Sequence, residues 1–96
     1  MTQNLRTSTS HPLIIDTIAV ANGAMGLTFC PGKIQPHSLT GGWNRDIQLD
    51  IAAIKHWGAQ VVISLLEIQE YAELQATQLL TLYPEQFNWF NLPFAD

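Results

Sequence analysis

Few side chains in this sequence are equipped for chemistry: one cysteine, Cys30, three histidines, His11, His37 and His56, and a small set of charged residues. A thiol attacks only as the thiolate, which needs a cation, a base or a helix N-terminus beside it. Free cysteine is also among the most buried residue types, so Cys30 reads as a strand-end thiol that packs as a small hydrophobe. The histidines lie far apart, with no partner at His-x3-His or Cys-x2-Cys spacing, so no metal site is indicated. Gly23, Gly26, Gly41 and Gly42 make neither a GxGxxG turn nor a phosphate-cradling loop, because the lysine and hydroxyl residue such a loop needs are missing. No cofactor is implied. Arg45-Asp46 could bind a ligand, but an acidic residue in a first helical turn ordinarily complements the helix dipole. Trp43 and Trp57 flank an amphipathic helix and read as core rather than as a recognition surface.

Composition narrows the remaining classes. Ninety-six residues amount to one small domain or part of one. With 47% hydrophobic and 12% charged residues the chain can build a packed core and does not read as disordered. Eight acidic residues against four basic ones give a net charge of -4, and Arg6, Lys33, Arg45 and Lys55 are scattered along the sequence, so no stripe for nucleic acid is expected. No run approaches the roughly 18 apolar residues of a membrane span. A lone cysteine and a polar N-terminus without a signal-like apolar stretch point to a cytoplasmic protein.

The chemistry-bearing residues must be positioned by the elements around them. Residues 1–12 are rich in Thr, Ser, Asn and Gln and suit a flexible polar arm. Residues 13–20 are β-branched, with Ile14, Ile18 and Val20 on one parity, as in a half-buried strand. Asn22-Gly23 reads as a turn into a second, antiparallel strand over 26–30, stopped by Pro31-Gly32, and the hairpin reads as a sheet edge. Residues 33–42, with Pro36 and Gly41-Gly42, read as a surface loop. Ile47, Ile51, Ile54 and Trp57 follow one helical stripe, with Asn44 as N-cap and Gly58 as stop. The aliphatic run 61–66 has the pattern of a central parallel strand covered on both faces. Residues 67–82 predict one or two short helices, divided near 75–77 and ended by Pro84, and 87–92 predicts a further strand. Helix, buried strand, helix and strand in succession make the fold α/β.

Several segments in order carry a family likeness: Gly26-Leu27-Thr28-Phe29-Cys30-Pro31-Gly32-Lys33, Gly42-Trp43-Asn44-Arg45-Asp46-Ile47, Ile54-Lys55-His56-Trp57-Gly58-Ala59, Val61-Val62-Ile63-Ser64-Leu65-Leu66-Glu67 and Leu92-Pro93-Phe94-Ala95-Asp96. Together they resemble the N-terminal part of the cyclin-dependent kinase inhibitor 3 type of dual-specificity protein phosphatase, a likeness covering 14–96. The resemblance implies hydrolysis of phosphoproteins through a cysteine thiolate held in a His-Cys-x5-Arg loop, whose amides, helix N-terminus and arginine grip the phosphate and activate the thiol. That loop is absent from these residues. Six residues beyond Cys30 stands Pro36 rather than arginine, and Phe29 occupies the histidine's place, so Cys30 is not the nucleophile. Asp96 falls where the resemblance places the general acid that protonates the leaving oxygen, though as a terminal residue it also suits a solvated chain end.

These readings combine into an expectation: 13–96 is the N-terminal portion of a phosphatase-like α/β domain, a leading hairpin plus parallel strands and helices with the C-terminal half missing. It is a truncated hydrolase, inactive alone, whose substrate would be a phosphoprotein once a catalytic half completes it. The alternative is a non-enzymatic module that binds a protein partner, or itself, through an exposed sheet edge and an uncovered apolar face. A small enzyme of unknown chemistry has no motif in its favour. Either main reading leaves apolar area exposed beside 61–66 and makes the isolated chain marginal or self-associating.

Overall fold

A computed structural model describes residues 5–36 and 41–93. Along the chain the elements are β1 (Asp16–Val20), β2 (Gly23–Leu27), β3 (Ile34–Gln35), β4 (Trp43–Asn44), α1 (Ile47–Trp57), β5 (Val61–Ser64), α2 (Ile68–Glu73), α3 (Leu79–Gln86) and β6 (Asn88–Asn91). This is a small mixed α/β fold in which the strands pair two by two: β1 with β2 and β3 with β4 antiparallel, β5 with β6 parallel.

α1 forms where its stripe predicts, but its cap is Asp46 and not Asn44. The Asp46 carboxylate accepts from the backbone N–H of Gln48 at 2.9 Å and of Leu49 at 3.1 Å, while Asn44 is occupied as the last residue of β4. The helix ends at Gly58, whose φ of 101° lets its N–H turn back to the Lys55 carbonyl. α2 opens with a capping box between Glu67 and Glu70. α3 continues through Pro84 instead of stopping before it. Proline costs one i to i−4 hydrogen bond, here to the carbonyl of Leu80 near the helix start, and burial of Leu79 and Tyr83 before it and of Phe87 after it offsets that loss.

The core lies where the helices meet one face of the β5–β6 pair. Ile51 and Ile54 of α1, Tyr71 of α2, Leu79 and Tyr83 of α3, and the flanking Ala76 and Phe87 are buried, with Val62, Leu66 and Trp89 packed against them. Tyr71, Ala76 and Leu79 are completely shielded from solvent. A buried leucine contributes about 1.5–3 kcal/mol relative to an exposed one, so Leu79 anchors α3 more firmly than any helix propensity does.

β5 is therefore covered on one face and not on both. Val62 and Leu66 point into the core, whereas Val61, Ile63 and Leu65 stay more than half exposed. The hairpin departs further from expectation. Every residue of β1 is exposed, including Ile18 at 45% and Val20 at 50%, so it is not a half-buried strand. The turn falls on Ala21-Asn22, with Ala21 at φ 51°, and closes the register Val20 to Gly23. The hairpin touches the body mainly at its base, through Leu13 and Ile15, and the molecule is elongated at 50 × 26 × 26 Å.

The described part of the polar arm is tied to the body. Arg6 bridges to Trp43, its N–H donating to the Gly42 carbonyl at 3.0 Å, and Ser8 is buried. The expected loop over 33–42 likewise contains a short pair, Ile34 to Asn44 and Gln35 to Trp43. Both follow from tertiary closure, since neither segment has a period of its own.

Candidate functional site

At the turn after Cys30, Gly32 sits at φ 70° with Ile47 so close that a Cβ would lie 2.6 Å from the Ile47 Cβ, so only glycine fits. The close approach brings the Gly32 N–H to Asp50 Oδ2 at 2.8 Å. Arg45 Nε donates to the same oxygen at 2.8 Å, and its Nη2 donates to Oδ1 at 3.0 Å, the paired contact that suits guanidinium to carboxylate. Ser8 Oγ donates to Asp50 Oδ1 at 2.8 Å and accepts from the Asp46 N–H at 2.8 Å, while Arg45 Nη1 donates to the His11 carbonyl at 2.8 Å. Arg45 and Asp50 are 0% and 1% exposed, and among the described residues no buried side-chain polar atom lacks a partner. Each buried polar atom of this knot already has a protein partner, which marks it as structural. Of the Arg45-Asp46 pair singled out in the sequence, Asp46 caps the helix; Asp50, which the sequence reading missed, completes the ion pair.

A second cluster surrounds Trp43, which is half-buried rather than core. The Arg6 guanidinium lies 3.9 Å from its ring centroid and Lys33 Nζ 4.5 Å; Phe29 packs against it at 5.1 Å, with Lys33 Nζ 4.3 Å from the Phe29 ring. Arg45 is 5.4 Å from the Trp43 centroid. Basic residues scattered in sequence thus converge in space. Desolvation, helped by Arg6 and Arg45, lowers the Lys33 pKa from its ordinary value.

A groove of about 630 Å³, which shares Phe29 with the Trp43 cluster, runs between the segment 24–31 and β5, with Ile54, Trp57 and Tyr83 also lining it. Its lining is neutral throughout. Trp57 is half-buried, and its Nε1 donates to Thr17 Oγ1 at 3.0 Å, fastening the hairpin base beside the groove. Cys30 lies in the groove wall, where burial pushes its thiol up from 9.0 to about 11 and outweighs the opposing pull of Lys33. A thiol so protonated is a poor nucleophile at neutral pH, which agrees with the reading of Cys30 as packing.

Polar atoms collect near the carboxyl ends of the parallel strands, where α/β sheets commonly bind ligands. Ser64 Oγ accepts from Tyr71 Oη at 2.7 Å and from Trp89 Nε1 at 2.8 Å, and donates to Asn91 Oδ1 at 2.8 Å. Burial holds the Tyr71 phenol above its ordinary pKa. The chain leaves β6 here through Leu92 and Pro93, and Asp96, the proposed general acid, lies outside the described residues, as does His37. His11 and His56 share no contact, and no group of His, Cys, Asp and Glu among the described residues could hold a metal ion. No helix among them is long and apolar enough to cross a membrane.

The comparisons with known proteins add no assignment: no family model, curated protein or solved structure matches this chain.

Proposed function

We propose that this chain is the scaffold portion of a cysteine-dependent phosphatase-like domain, inactive toward phosphoesters by itself and made competent when a segment carrying the His-Cys-x5-Arg loop completes its sheet. The single observation that carries the reading is the open edge of β5, which faces the Cys30 segment across a neutral groove and has no strand beside it among the described residues. A strand with an unpaired edge invites another. Two further features support the proposal. Cys30, with its pKa near 11, does not supply the nucleophile, so phosphoryl transfer needs a cysteine from elsewhere. The segment that resembles the general-acid loop begins at Leu92, which follows β6 beside the Ser64–Asn91 cluster, and the resemblance implies that Asp96 in it serves as the acid. The substrate class that the resemblance implies is a phosphoprotein.

A non-enzymatic interaction module is the second reading, favoured by the apolar face of Ile63, Leu65, Phe90 and Leu92, each more than half exposed. Hydrolysis of p-nitrophenyl phosphate separates the two. The chain alone is expected to show no turnover above buffer. Adding the catalytic half of a dual-specificity phosphatase of the resembled type, His-Cys-x5-Arg included, is expected to give turnover that vanishes when the nucleophilic cysteine of that half is replaced by serine. No turnover in the mixture, despite binding, would leave the interaction module; turnover by the chain alone that persists in Cys30→Ser would overturn the proposed division of labour.

A further inference from the structure

We propose that the groove beside β5 is a docking site for a single extended, uncharged segment of another polypeptide, which adds to the sheet as a strand hydrogen-bonded to Val61, Ile63 and Leu65. The proposal rests on the same open β5 edge as the reading above and deepens it; hydrogen exchange at the edge reads strand addition and p-nitrophenyl phosphate turnover reads the chemistry, so a failure of one is told apart from a failure of the other.

The backbone directions follow from the β5–β6 ladder. The Asn88 N–H donates to the Gln60 carbonyl at 3.0 Å and the Leu92 N–H donates to the Ser64 carbonyl at 2.8 Å. In a parallel pair, alternate residues turn both their N–H and C=O toward the same neighbour. Gln60, Val62 and Ser64 therefore face β6, and Val61, Ile63 and Leu65 turn their backbone groups to the groove, where no hydrogen bond to them is formed among the described residues. A row of unmet donors and acceptors specifies the shape of its occupant: another strand satisfies them in series, as in β-strand addition.

The space agrees. A strand residue takes up about 160 Å³ of a sheet, from a rise of about 3.3 Å, a strand spacing of about 4.8 Å and a layer thickness of about 10 Å. A groove of about 630 Å³ then holds about four residues, close to the length of the Val61–Ser64 strand. One side of the added strand would lie toward Ile54 and Tyr83, and the other would extend the bare face beside Ile63. The neutral lining offers a charged side chain no counter-ion, which selects an uncharged segment. Pairing β5 against the β5 of a second copy is the poorer fit, because that strand is walled by 24–31 in the same way, whereas an extended segment standing free of its own fold can enter.

The test uses the unaltered chain and a probe peptide of nine alternating Val and Thr residues flanked by lysines for solubility, alongside the same peptide N-methylated at every amide of the Val-Thr stretch so that neither edge can donate. Backbone hydrogen exchange, read residue by residue by NMR, is expected to slow at least tenfold at Ile63 and Leu65 with the plain peptide, to stay unchanged at Val62 and Ser64, and to show no slowing with the methylated peptide. Absence of slowing with the plain peptide would overturn the proposal. Equal slowing with both peptides would overturn it too, since that is apolar adherence without ladder pairing, and so would slowing that needs no peptide and grows with chain concentration, which would make a second copy the occupant.

Discussion

Around Asp50 the molecule buries two charges and gives each oxygen two donors, while along β5 it leaves Ile63, Leu65, Phe90 and Leu92 exposed and, among the described residues, gives the outer backbone groups of the strand no protein partner. The polar region is closed and the apolar region is open, the reverse of what side-chain type alone predicts. Burying a charge is tolerable when its partners are in place, and Arg45, Ser8 and Gly32 are held by the arm, the turn and α1 together. Exposing aliphatic side chains costs the burial energy they would otherwise contribute, and a fold keeps such a face most readily where something else covers it. The contrast teaches that burial follows the completeness of a group's partners and not its polarity: the Asp50 carboxylate is fully partnered and buried, while the outer side chains of β5 stay exposed.

The largest expected effect comes from breaking the closed side. Asp50→Ala strands the Arg45 guanidinium in a site it cannot leave and removes the acceptor of the Gly32 N–H, so unfolding in urea should show a loss of about 3–5 kcal/mol. A loss below about 1 kcal/mol would mean that water reaches the pair, and the contrast between the two regions would disappear.

An intermediate effect tests how dry the groove wall is. Because the folded Cys30 thiol holds its proton to about 11 against an ordinary 9.0, its contribution to stability is complete below 9.0 and drains away as pH rises through that window. Tyr71 and Tyr83, also raised by burial from 10.0, add to the loss at still higher pH. Tm measured from neutral pH upward should begin to fall near 9.0, and Cys30→Ala should delay the fall until the tyrosines ionise. A parent Tm that stays flat across the window would mean the thiol is solvated.

The smallest effect is expected on the open side. Ile63→Thr keeps a β-branched residue on an exposed face and leaves the backbone edge intact, so stability should change by no more than about 0.5 kcal/mol. A loss of several times that would show that Ile63 already packs against something in solution, and the face would then count as covered.

The parts of the fold legible in the sequence are those governed by near neighbours. The stripe Ile47, Ile51, Ile54 and the stop at Gly58 predict the buried face and the C-terminal end of α1, and the run 61–66 and the aromatic stretch 87–92 predict β5 and β6, because helical and strand periods are settled within a turn or two. The same local rules misplace the cap by two residues, since Asn44 and Asp46 are both good caps and only the pairing of Trp43–Asn44 with Ile34–Gln35 removes the first. They also end α3 too early, because Pro84 is tolerated only once Leu79 and Tyr83 are buried.

Sequence by itself determined an α/β order of elements, the exclusion of a metal motif and a nucleotide loop, and a single cysteine without the residues that would activate it; each of these depends on residue type and short spacing. Tertiary structure alone decided that Ser8 meets Asp50 across 42 positions, that Arg6, Lys33 and Arg45 gather around Trp43, and which face and edge of β5 stay open. Such contacts depend on how the chain closes over long separations. A one-residue shift of register would turn Val62 outward and Ile63 inward, and the aliphatic run Val61-Val62-Ile63 carries no alternation of its own that resists that shift.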